Sequence, residues 1–253
     1  PLARGLSLGA NLARAVRAPS AEELYSEAGH AGTGAFEVGD ANLRTERTTG
    51  ADVVLRLQRT RVTAQLAGYR NAVDGWIGLY PTGRDTIAPD GAGGTKALPL
   101  YRISQRGATL AGAEASVEAV LAGGGAAGGR GLVGGALFDL VRTRDAFGEA
   151  LPFIPPARVG GHLRWDDGRR EAGVRVRHAL AQRRVPAGEF ATDAYTLVDL
   201  HVSWRRPIAG RATTFTLRVD NATDALWRDA ASRIKAFAPG MGRNVVLGVR
   251  TDW

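Results

Sequence analysis

The residues most able to do chemistry lie in one stretch, EELYSEAGHAGTGAFEVGD, which gathers Glu22, Glu23, Glu27, His30, Glu37 and Asp40. Neutral imidazole with one or two carboxylates suits zinc, which binds nitrogen and oxygen in tetrahedral sites. No strict ligand spacing is present, so two readings stay open. One is a metal-capturing loop using His30 with Glu23, Glu37 and Asp40; the other is a solvated acidic loop with an incidental histidine. A second pair, Asp199 and His201, sits two residues apart and so points to one side of a strand. It can serve as a metal pair, an acid–base pair or part of a hydrogen-bond network. His162 is expected two strands away. The run AGGGAAGGRG is no phosphate loop, because it lacks the Gly-Lys-Ser/Thr ending and no helix follows. Asn221-Ala222-Thr223 is formally a glycosylation acceptor.

What positions these residues is a succession of period-2 segments. Leu6, Leu8, Ala10 and Leu12 share one parity; Ala51, Val53, Leu55 and Leu57 share another against Asp52, Arg56 and Gln58. The same alternation recurs from Val62 to Val73, Ile103 to Leu121, Leu132 to Arg142 and Arg158 to Trp165. It continues from Gly173 to Ala181, Tyr195 to Arg205 and Thr213 to Asn221, and in the closing GRNVVLGVRTDW. These predict about ten antiparallel strands in a meander, joined alternately by short turns (DDGRR is one) and long loops, among them LYPTGRDTIAPDGAGGTKALPLY.

Composition then bears on the environment. Hydrophobic residues make up 44% of 253 and mean hydropathy is -0.14, as in folded chains. No apolar run is long enough for a membrane helix, but strands that alternate between lipid and water leave no such run. Cysteine is absent, which excludes disulfides and thiol chemistry. A net charge of +8 invites a nucleic-acid reading. However, only Lys96 and Lys235 are lysines, the arginines are spread along the chain, and no basic cluster is interleaved with aromatics, so no nucleic-acid partner is expected. The polar faces have almost no Lys, and Tyr101, Trp165, Trp204, Trp227 and Trp253 fall at strand ends, as interfacial girdles do. The expectation is a membrane barrel wall with Val245, Leu247 and Val249 outwards. Arg250, Asp199 and His201 then face the lumen, where Arg56, Arg158, Arg164, Arg175, Arg177, Arg218 and Arg250 oppose Glu114, Glu118 and Asp199, either as a structural charge ladder or as a field that steers an anionic ligand inwards.

Several stretches resemble the C-terminal half of TonB-dependent outer-membrane receptors: ARAVRAPSAEELYSEAG leading to GDANLRTER, and VDNATDALWRDAASRIKAFAPGMGRNVVLGVRTDW with its Asn-x-x-Asp, Pro-Gly-x-Gly-Arg and aromatic ending. ELYSEAGHAGTGAFEVGDANL, YRISQRGATLAGAEASVE and FIPPARVGG are similar to the zinc-uptake branch. The resemblance implies an all-β fold, residues 1–253 supplying the C-terminal strands of a 22-stranded barrel in the bacterial outer membrane. It implies transport rather than enzymatic activity, with no resident cofactor and with zinc or a metal chelate as cargo. The implied partners are the protein's own N-terminal plug and remaining strands, the TonB complex, outer-membrane lipid and lipopolysaccharide, and the barrel assembly machinery. Trp253 is implied as interface aromatic and assembly signal. The chain is expected to begin within a longer protein and to lack plug and TonB box. The alternative is a self-contained ten-stranded barrel with a hydrolase site at its extracellular mouth.

Overall fold

The computed structural model describes residues 4–30, 34–89, 93–123 and 130–252. The alternating segments form one antiparallel sheet. Strand β1 (Leu6–Arg17) enters a connection carrying helix α1 (Ala21–Tyr25) and two short strands, β2 (Glu27–His30) and β3 (Ala35–Val38). The meander then runs through β4 (Glu46–Gln58), β5 (Val62–Pro89), β6 (Thr95–Ala122), β7 (Gly131–Asp145) and β8 (Arg158–Asp166). It finishes with β9 (Arg170–Ala179), β10 (Tyr195–Ile208), β11 (Arg211–Asp220) and β12 (Asn244–Thr251). In space the order is β1-β4-β5-β6-β7-β8-β9-β10-β11-β12, with β2 and β3 off the path, and the sheet is not closed. Trp253 lies outside the described residues.

Register explains why the alternation reads so clearly. Leu55 faces Leu66, Leu66 faces Ala115, Ala115 faces Phe138 and Phe138 faces Val159. Farther on, Leu200 faces Val219, which faces Val245. A one-residue slip would throw each of these onto the polar face. The apolar face stays open: Leu12 and Leu247 are 78% exposed and Val249 67%. No described element covers it, which is the arrangement of a wall whose partner is lipid. On the opposite face Arg158 pairs with Asp139 at 2.8 Å, and Arg177 with Asp199 at 3.0 Å.

At the short-turn end, Ala209 and Gly210 link β10 to β11 with φ of 49° and 78°. Two positive φ values match the right-handed strand twist of a two-residue hairpin. The long loop expected between Leu79 and Tyr101 is instead mostly strand: β5 and β6 pair out to Pro89 and Thr95. Register shifts between Val73 and Trp76 and between Pro81 and Asp85 carry the hairpin past its irregular positions. Its polar sequence hides the strands because this hairpin rises beyond the alternating belt. Loops pack on its base, so buried residues cluster there, as Val73, Ala108 and Leu151 in one group and Ile77, Leu79 and Ile103 in another.

The aromatic expectation divides. Trp165 and Trp204 lie on the apolar face near the short turns, 41% and 43% exposed, with Trp204 6.0 Å from Phe215. Tyr101 instead packs on the Ile77 cluster. Trp227 stacks 5.2 Å from Tyr195 and donates its indole N–H to the Met241 carbonyl at 3.0 Å, so it belongs to the loop layer.

Candidate metal centre

The acidic stretch is ordered by a short run of local interactions. Ser20 caps α1: its Oγ accepts the Glu23 N–H at 3.2 Å, and Glu23 Oε2 accepts the Ser20 N–H at 2.8 Å. This reciprocal capping box fixes Glu23. The Arg17 guanidinium, 2.9 Å away, holds it from the other side and also reaches Glu46 at 3.3 Å. Burial raises the Glu23 pKa, but Arg17 and Ser20 outweigh it and leave the carboxyl below its ordinary value. Neighbouring side chains on a helix diverge by about 100°. With Glu23 turned to Arg17, Glu22 is directed elsewhere.

Glu22 meets His30, the carboxylate Oε1 lying 3.8 Å from Nε2. In the β2–β3 hairpin Ala28 is opposite Glu37, and His30 lies two residues on from Ala28, on the same face. Strand β3 then runs parallel to β6, with Glu37 opposite Tyr101. Gly39 lets the chain pass under the helix: a Cβ there would sit 2.7 Å from the Glu23 carbonyl. That carbonyl also accepts the Asp40 N–H at 3.0 Å.

Ligand atoms of Glu22, His30 and Glu37 consequently lie within 4.8 Å of one another. Tetrahedral zinc with ligands near 2.1 Å sets ligand atoms about 3.4 Å apart, so small rotamer changes would close this triad on an ion. Glu37 is 2% exposed, whereas Glu22 is open. Glu22 and Glu37 also line a cavity of about 410 Å³ shared with Trp76, Ile103, Phe153 and Arg233. Sequence reasoning placed His30 and Glu37 in the ligand set and chose Glu23 where the structure brings Glu22. Asp40 also stands apart, its carboxylate accepting the Asn42 N–H at 2.9 Å in a local turn. The signal for Glu22 over Glu23 was the Ser-x-x-Glu capping pattern itself.

Asp199 and His201 do not act on each other. Asp199 accepts from Arg177 at 3.0 Å and from the Asn221 N–H at 3.1 Å, while His201 meets Glu171 at 2.9 Å. His162 is near Glu118, at 3.6 Å. Arg250 pairs with Asp252 at 3.0 Å on the polar face. The Asn-x-x-Asp motif is a clasp that sequence reasoning did not resolve. Asn221 bridges the Ala225 and Met241 carbonyls at 2.9 and 3.2 Å, and Asp224 accepts the Arg243 N–H at 2.7 Å. It ties both ends of the β11–β12 connection together.

With this geometry in view, the chain matches the family model described as TonB dependent receptor-like, beta-barrel, over residues 2–222. The chain belongs to this family. Its members are receptors and transporters of the outer membrane rather than enzymes. Among solved structures, the copper transporter OprC superposes with a TM-score of 0.73 at 20% identity, over 96% of this chain and 36% of that one. The FrpB iron transporter from Neisseria meningitidis gives 0.67 at 15%, over 98% and 37%. The siderophore receptor PirA from Acinetobacter baumannii gives 0.66 at 15%, over 98% and 39%. The chain therefore spans less than two-fifths of these receptors, and at such identities the likeness concerns the fold. In outer-membrane barrels the long connections face outwards from the cell and the short turns face the periplasm.

Proposed function

We propose that this chain is part of the barrel wall of a receptor that takes up a scarce metal ion or metal chelate, zinc before others. His30, Glu22 and Glu37 act as an extracellular capture group. The observation that carries this reading is the convergence of three ligand atoms from α1, β2 and β3 beside a cavity. Imidazole with two carboxylates matches zinc's borderline character better than an all-oxygen site would. The similarity of the stretch around His30 to the zinc-uptake branch points the same way. A plug and the TonB complex complete the transporter in this reading. The hydrolase alternative gains nothing from the structure: the sheet is open, Asp199 is engaged by Arg177, and His201 by Glu171 instead.

Zinc titration calorimetry on the full-length receptor in detergent tests the proposal. His30→Ala should weaken binding at least tenfold, about 1.4 kcal/mol, whereas Asp40→Asn should leave it unchanged. Equal affinity of wild type and His30→Ala, with folding intact, would refute the role of His30.

A further inference from the structure

The cavity beside the capture group is lined by more than carboxylates. The connections at 146–157 and 221–243 contribute Phe153 and Arg233 to it, and β5 contributes Trp76 and Gly78. Arg233 Cζ stands 5.9 Å from the Phe153 ring centroid, and among the described residues this guanidinium meets no carboxylate and makes no hydrogen bond. Phe153 is itself fixed, its N–H donated to Glu189 at 3.0 Å. Trp76 adds a buried indole N–H that has no hydrogen-bond partner among the described residues. Gly78 leaves room for that indole, because a Cβ there would come within 3.0 Å of its nitrogen. At about 410 Å³ the cavity falls among small-molecule sites, which run from about 300 to 1,000 Å³.

Coordination chemistry connects these groups to the capture group. Zinc takes four ligands in a tetrahedron, and Glu22, His30 and Glu37 offer three. The fourth falls to an exogenous donor, and the space next to Glu22 and Glu37 is this cavity. Water in the fourth position would leave the Arg233 charge and the Trp76 N–H unused. A small molecule with a metal-binding nitrogen and a separate carboxylate uses both, since a guanidinium and an N–H are donors suited to a carboxylate. Charge also balances: two carboxylates offset the ion, and one guanidinium offsets the ligand's carboxylate, so no buried charge stands alone.

We infer that the receptor captures its ion in a ternary complex with a small amino-carboxylate. That molecule fills the cavity, donates to the ion and sets its carboxylate against Arg233 and the Trp76 N–H. The inference deepens the metal reading and rests on it.

The test uses the full-length receptor in detergent, with histidine as the probe because it carries two nitrogen donors and a carboxylate. In equilibrium dialysis, isotope-labelled histidine should be retained at least about tenfold more strongly with saturating zinc than without it. Histamine, which keeps both nitrogen donors and lacks the carboxylate, should be retained at least about tenfold more weakly than histidine. At saturating zinc, R233Q and W76F should each lose at least about fivefold in histidine retention. In R233Q the preference for histidine over histamine should shrink to under about twofold. Heat-modifiable migration on gels checks folding. A wild type that binds zinc but retains histidine no better with it, equal retention of histamine, or an undiminished preference in folded R233Q would overturn this inference and leave the metal reading standing. A wild type that binds no zinc would overturn both.

Discussion

Glu189→Ala should loosen three extracellular connections at once. Lys235 and Glu189 form an ion pair whose side chains are 2% and 5% exposed. The ammonium also donates to the Ala230 carbonyl at 2.6 Å, and the second Glu189 oxygen accepts the Phe153 N–H at 3.0 Å. The pair thereby links the connections at 146–157, 180–194 and 221–243. Phe153 has φ of 59°, a conformation that needs such support. Removing the carboxylate leaves a buried ammonium and a buried N–H without this partner. Breaking a buried pair from one side costs about 3–5 kcal/mol. If local opening governs amide exchange, 3 kcal/mol corresponds to roughly a hundredfold faster exchange, since 1.36 kcal/mol is tenfold. Hydrogen exchange with mass spectrometry on the full-length receptor should show that acceleration around Phe153 and Lys235, with the β8–β9 amides unchanged. Glu189→Leu combined with Lys235→Met should recover most of the protection, because the stranded charge is gone. Unchanged exchange in Glu189→Ala would refute the linkage.

Leu247→Arg, on the apolar face near the middle of β12, should destabilise the barrel by about 2–4 kcal/mol in urea unfolding from lipid vesicles. Val246→Arg on the polar face should cost under about 1 kcal/mol; equal effects would contradict the assignment of faces. Because the folded Glu23 pKa lies below its ordinary value, its contribution to α1 is fully present above the unfolded carboxylate pKa and is lost as pH falls through the folded one. Amide exchange at 20–26 should accordingly rise in acid below about pH 4, and Glu23→Gln should abolish that dependence; a variant with the same acid profile as wild type would count against the capping account.

The ten-strand meander was legible because lipid on one side and a wet lumen on the other force strict alternation, as in Leu55-Arg56-Leu57 or Leu217-Arg218-Val219. Where that constraint ends, so did legibility. The hairpin above Val73 has water or loops on both faces, so TGRDT carries no period although it forms strand. The candidate triad was half legible: His30 and Glu37 stand out by chemistry, but choosing Glu22 over Glu23 depends on which carboxylate the Ser20 cap consumes. Asn221 was invisible as a clasp because its partners, Ala225 and Met241, are backbone carbonyls that leave no mark on residue type.

The most direct test of the central reading is anomalous diffraction at the zinc edge from crystals of the full-length receptor loaded with zinc. The account predicts a peak bounded by His30 Nε2 and the carboxylates of Glu22 and Glu37, with ligand distances near 2.0–2.2 Å. A receptor that takes up zinc but shows its extracellular peak elsewhere, with His30 and Glu22 in their present positions and no ion between them, would contradict it.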